Sequence, residues 1–151
     1  MDIAILFVVF NRPAETKKVL NAIRDAKPSR LYIASDGPRM GRDAEKQTVA
    51  EVRQIIHKID WVCDVKTLLR EVNVGCKDAV SGAIDWFFNH EEEGIILEDD
   101  CLPDLSFFSY CKELLEKYRH DSRIMSISGV NFQKSNFLDE SSYYFSRYVH
   151  V

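Results

Sequence analysis

Glu98, Asp99 and Asp100 are three successive carboxylates at the end of the apolar run Gly94-Ile-Ile-Leu97. Held together and partly stripped of water, such groups repel one another, so a fold that gathers them must supply positive charge. Hard oxygen donors suit Mg2+ or Mn2+, ions that keep coordination positions open for water or a substrate phosphate. The pattern therefore predicts a divalent metal that bridges a diphosphate. The plainer alternative is a solvated acidic turn, since charged residues lie mostly outside. Position supports the metal: Gly94 to Leu97 is β-prone, and ligands of open α/β sheets bind beyond the carboxyl ends of the strands. Pro103, Asp104 and the periodic run after them begin a helix, which makes the acidic segment a short strand-to-helix connection.

The elements that must position this segment follow from the rest of the pattern. Ile3 to Phe10 is a continuous apolar run, ended by Asn11-Arg12-Pro13, with Pro13 suited to the first turn of a helix reaching about Arg24. Leu31 to Ala34 predicts a second strand, closed by the turn sequence Ser35-Asp36-Gly37-Pro38. A helix from about Asp43 to Ile59 carries Val49, Val52, Ile56 and Ile59 on one stripe, with Lys46, Arg53 and Lys58 largely off it. Val65 to Leu69 predicts a third strand. It leads through Arg70, Asn73 and Gly75 into a helix whose Val80, Ile84 and Phe87 or Phe88 are expected to face inward. Beyond the acidic turn, Phe108, Cys111, Leu115 and Tyr118 recur at helical spacing, Ile124 to Ser128 predicts a strand, and Ser142 to Val151 another. Alternating strands and helices imply an α/β fold, a mostly parallel sheet flanked by helices.

Composition narrows the partners. The 151 residues, 46% hydrophobic and 29% charged, are expected to make one domain spanning 1–151. The net charge of −4 comes from intermixed acidic and basic residues, so no basic stripe points to nucleic acid. The apolar opening stretch is far shorter than the ~20 residues of a spanning helix, and no transmembrane segment is expected. Cys63, Cys76, Cys101 and Cys111 have no metal-type spacing and are expected to be reduced and buried. The regular pattern up to Tyr148-Val-His-Val suggests a piece of a longer protein, cut before an acceptor-binding part.

With these residues in view, the chain resembles the nucleotide-diphosphosugar glycosyltransferases of the GT-A fold, family 2-like, over nearly its whole length. The resemblance rests on the order of Phe10-Asn11-Arg12-Pro13, Ser35-Asp36-Gly37, Arg70 with Asn73-x-Gly75, and Glu98-Asp99-Asp100 as a form of the Asp-x-Asp motif. Ile95 to Phe108 is also similar to a segment of N-acetylglucosaminyltransferases. The resemblance implies a Rossmann-like sheet and transfer of a sugar from a nucleotide-diphosphosugar, UDP-linked, to a glycan or lipid-linked acceptor. It implies a cytoplasmic protein, or one peripheral at the inner face of a membrane.

It also implies roles. Asp100 would ligate Mn2+ or Mg2+, with Glu98 direct or through water, and Asp99 would turn toward the ribose. Glu98 departs from the commoner aspartate in first place. Asp36 would accept the uracil imide, or else form an Asx-turn. Arg12 would meet phosphate or stack on a base, or else remain a solvated turn residue. Asn73, Gly75 and Lys77 would line the donor pocket beside a helix start, or else form an ordinary loop with Gly75 at positive φ. Arg70 would reach the diphosphate or pair with Glu71. His150 is a late ligand or a packed terminal residue, and no catalytic base is evident. Three alternatives compete: a non-catalytic sugar-nucleotide or partner-binding module, a receiver-type phospho-acceptor domain, and a nucleotidyltransferase. The last two fit poorly, because the first strand ends in Asn11-Arg12 and no Gly-rich loop follows Phe10.

Overall fold

The computed structural model describes residues 2–130 and 143–148. They fall into two compact units that divide after Phe108, where the sequence pattern reads as one domain. In chain order the elements are β1 (Ile5–Val9), α1 (Pro13–Ala26), β2 (Arg30–Ser35), α2 (Asp43–Ile56), β3 (Asp64–Leu69), α3 (Cys76–Phe88), β4 (Ile95–Glu98) and α4 (Leu105–Tyr118). The four strands form one all-parallel sheet in the order β3-β2-β1-β4. This is the α/β, Rossmann-like architecture expected.

That order decides where a ligand crevice opens. From β1 the chain steps outward through β2 to β3, then crosses back to place β4 on the other side of β1. Right-handed crossovers put α1 and α2 on one face and α3 on the other. The direction of winding reverses between β1 and β4, and outside the carboxyl ends of those two strands the flanking connections diverge.

Strand alternation divides the core. Ala4, Leu6, Tyr32 and Ala34 meet Ala83 and Phe87 of α3, with Val8, Leu68, Ile84 and Trp86 packed at the margin. Tyr32 and Phe87 meet edge to face with ring centroids 5.0 Å apart. Ile5, Phe7, Val9, Leu31 and Ile33 point to the opposite face and are also buried. Helices α1 and α2 pack on each other and bury Val19, Leu20, Ile23, Val49, Val52 and Ile56.

Several expectations shift. The inward stripe of α3 is Ala79, Ala83 and Phe87, with Val80 and Ile84 only partly buried. Small side chains let the helix lie close to a sheet surface already filled by Tyr32, against which the helix's own Phe87 packs. In α4 the buried positions are Phe108, Cys111 and Leu114, rather than Leu115. Helix α2 stops at Ile56, three residues before the predicted end, and Ile59 is only partly buried. No strand forms at Ile124–Ser128, where Met125 is 83% exposed; without a hydrogen-bonded neighbour or a covered face, β-propensity alone does not make a strand. Residues 143–148 are likewise not a strand, and the rest of that predicted element, with His150, lies outside the described residues. Only Cys111 is buried; Cys63 is partly covered, Cys76 and Cys101 are exposed, and all are free thiols. Burial pushes the Cys111 thiol up to about 12, which leaves it unreactive. No helix among the described residues is long and apolar enough to cross a membrane.

Candidate functional site

Register brings the candidate residues to one end of the sheet. Val9 is level with Ser35, Ser35 with Leu69, and Val8 with Glu98, so the next residues along each strand emerge together. From there the site divides into two parts.

The first lies at the β1/β4 boundary. Asp99 is buried, and its Oδ2 accepts the Phe10 amide at 3.1 Å, which ties the acidic turn to the end of β1. Arg12 follows at the N-cap position of α1, where Pro13 occupies the first turn and the Arg12 carbonyl accepts the Thr16 amide at 2.9 Å. Its guanidinium donates to Asp100 Oδ2 and lies 3.5 Å from Asp99 Oδ1. Arg12 and Asp100 are each about half exposed, at 51% and 49% of the side chain. A cation for two of the three carboxylates, Asp99 and Asp100, is thus present in the chain. The neighbours titrate in opposite directions: burial raises the Asp99 carboxyl above its ordinary value, whereas the hydrogen bond from Arg12 lowers that of Asp100. Cys101 is raised by burial and then by the Asp100 charge, which blunts it as a nucleophile.

The second part lies between the ends of β2 and β3. Asp36 is only 6% exposed. One carboxylate oxygen accepts the Gly37 amide at 2.9 Å, both accept the Val74 amide at 3.2 Å, and the other accepts the Gly75 amide at 3.3 Å. Asn73 Nδ2 returns the contact by donating to the Gly37 carbonyl at 2.8 Å. Gly37 is needed for this approach, because a Cβ there would stand 2.5 Å from the Val72 carbonyl carbon. Gly75, at φ +89°, turns the loop into α3 in a conformation that L side chains rarely adopt. Asp36 therefore meets the loop that carries Asn73 and Gly75, and forms more than a local Asx-turn. Its carboxylate spends most of roughly four acceptor positions on backbone N–H groups.

Other residues behave differently. Lys77 is exposed in the first turn of α3, and Glu98 is partly buried at the end of β4. Arg70 lies across α3 and reaches the Ala79 carbonyl at 3.4 Å, rather than Glu71. Between the two parts sits a cluster that sequence reasoning missed. Glu45, buried in the first turn of α2, accepts Asn11 Nδ2 at 3.2 Å, the Arg39 amide at 2.8 Å and the Arg39 guanidinium. The Arg39 guanidinium holds the Glu45 carboxyl down at about 2, and also lies 5.8 Å from the centre of the Phe10 ring. Arg53 reaches the Ser35 hydroxyl and the carbonyls of Asp36 and Arg70. A signal for Glu45 existed: it stands four residues before Val49, an acidic group on the apolar stripe of α2.

Chemically, this end of the sheet is suited to an anion held beside charge. Helices α1, α2 and α3 all begin here without a side-chain cap on their first N–H groups. Among the described residues, no group of three or more His, Cys, Asp and Glu side chains is gathered as a metal cage. Glu98 and Asp100 each offer carboxylate oxygens, the donor type of a hard divalent ion, and the Arg12 guanidinium occupies one oxygen of Asp100. Comparison with known proteins adds no family, as no protein-family model and no curated protein matches the chain.

Proposed function

We propose that this chain is the donor-binding part of a glycosyltransferase, which binds a nucleotide-diphosphosugar, UDP-linked, and passes the sugar to a glycan or lipid-linked acceptor. The observation that carries the reading is the gathering of Arg12, Asp99 and Asp100 outside the β1/β4 reversal, with Asp36, Asn73 and Gly75 at the same end of the sheet. A crevice of this kind is where open α/β sheets bind nucleotides.

On this reading each group has a task. The first turn of α3, with Lys77, attracts the diphosphate. Asn73 and Gly75 form the pocket wall, which Asp36 anchors, and Asp36 keeps at most one acceptor position for a base imide. Asp99 fixes the acidic turn against β1 and faces the ribose. Glu98 and Asp100 would hold Mn2+ or Mg2+, which when bound supplies a Lewis acid for the departing nucleoside diphosphate. Arg12 adds a permanent charge beside the same phosphates.

A metal-independent sugar-nucleotide-binding module is the second reading, favoured by the guanidinium already paired with Asp100. Thermal unfolding with UDP, with and without Mn2+, and with ADP as the control, tests both. The first reading expects UDP with Mn2+ to stabilise by RT ln(1 + [L]/Kd), about 2.7 kcal/mol at a hundredfold excess over Kd, and ADP to do less. Equal stabilisation by UDP without the metal supports the second reading, and no response to any nucleotide refutes both.

A further inference from the structure

Past the last residues of β2 and β3 the ladder stops, so the Asp36 and Arg70 carbonyls need donors from elsewhere. One side chain serves both. Arg53 stands in the last turn of α2, partly buried, and helical side chains lean toward the start of their helix, here the carboxyl end of the sheet. Its Nη2 donates to the Arg70 carbonyl and, at 3.4 Å, to the Asp36 carbonyl. Its Nε donates at 3.4 Å to the hydroxyl of Ser35, a fully buried residue whose hydroxyl in turn donates to the Asp36 carbonyl at 3.3 Å. Arg70 carries the link onward, with its amide on the Ser35 carbonyl at 2.9 Å and its guanidinium on the Ala79 carbonyl of α3 at 3.4 Å. The loop that carries Asn73 and Gly75 thus runs between two held points, Arg70 and α3, while the Asp36 carboxylate grips it from the side. A rigid planar fork fixes three acceptors relative to one another, which the flexible ammonium of a lysine does less well.

We propose that Arg53 is a positioning residue, a latch from α2 that sets the spacing between the Asp36 turn and the loop carrying Asn73 and Gly75. Without the latch, local opening of this wall becomes cheaper while the four-stranded sheet keeps its own stability. Resting on the donor-binding reading above, the latched wall is the surface that meets the nucleobase. Arg53 then governs how well uridine is told from adenosine nucleotides, although its own contacts are all to the chain.

Residue-by-residue amide hydrogen exchange of wild type, Arg53→Met and Arg53→Lys tests the latch. Arg53→Met keeps an apolar stem and removes the fork, so the Val74 and Gly75 amides should exchange about tenfold faster while the amides of β1 keep their protection; Arg53→Lys should restore part of the difference. Should Arg53→Met fail to fold, Arg53→Lys gives the same comparison at smaller size. Equal acceleration of β1 and the loop, as a general loss of stability produces, overturns the latch, and so does unchanged exchange at Val74 and Gly75. Calorimetric titration with UDP and with ADP, in the presence of Mn2+, tests the role in base choice. The ratio of UDP to ADP affinity should fall by about threefold or more in Arg53→Met. An unchanged ratio overturns that role and leaves donor binding intact. Wild-type protein that binds neither nucleotide overturns the donor-binding reading and the role in base choice together, and hydrogen exchange then decides the latch alone.

Discussion

Two aspartates at the same end of the sheet are held in contrasting ways. Asp36 is nearly buried, and its partners are the backbone amides of Gly37, Val74 and Gly75. Asp100 is half exposed, and its partners are the tip of the Arg12 side chain and, weakly, the Cys101 thiol. Backbone amides cannot leave without unfolding the loop, so most of the Asp36 carboxylate is committed to architecture. A guanidinium on a flexible stem can leave, so Asp100 remains available to a ligand. How firmly a carboxylate is committed to the fold depends less on its neighbours in sequence than on whether its present partners can be exchanged.

Breaking the region around Asp36 should have the largest effect on stability. Asp36→Ala strands three amides in a nearly closed loop and should cost about 3 kcal/mol. Chemical denaturation measures this, and a loss under about 1 kcal/mol would place Asp36 among ordinary turn residues. Gly37→Ala should cost somewhat less, about 2 kcal/mol, because the added methyl forces the turn away from the backbone at Val72. A wild-type denaturation midpoint in that variant would contradict the close approach.

Next in size is a pH effect from the cluster between the two regions. Glu45 ionises at about 2 in the fold, against 4.5 ordinarily, chiefly through the Arg39 hydrogen bond. Because the folded value is the lower one, this stabilisation is complete above the unfolded value and drains away as pH falls from about 4.5 toward 2. Glu45→Gln should flatten that part of the curve of thermal midpoint against pH. A decline as steep as in the wild type would remove Glu45 from the account.

The smallest effect on stability is expected at the region around Asp100. Asp100→Ala removes a half-exposed ion pair, a contact worth about 1 kcal/mol or less. A larger loss by denaturation would mean that Asp100 is structural after all, and would erase the contrast with Asp36.

The fold was readable because each strand-to-helix unit carries its own punctuation. Pro13 starts α1, Gly75 starts α3, and the apolar runs at Ile5–Val9 and Ile95–Glu98 have the length of buried strands. Helix faces were less legible, since apolarity ranks Val80 and Ile84 above Ala79 and Ala83, whereas close helix-to-sheet packing selects the small residues. Ile124–Ser128 misleads for a related reason, as a strand depends on a partner that local sequence does not name. In the site, the contact of Asp36 with the Asn73–Gly75 loop follows from β2 lying beside β3, and the pairing of Arg12 with Asp100 links residues 88 positions apart and follows only from β1 lying beside β4.

The account rests on Asp100 being the exchangeable carboxylate of a metal-assisted donor site, and calorimetric titration of UDP with and without Mn2+, on wild type and Asp100→Ala, addresses it most directly. Wild type should bind UDP more tightly when Mn2+ is present, and the folded Asp100→Ala variant should lose that Mn2+-dependent gain. Equal Mn2+-dependent affinities in the two proteins would contradict the account.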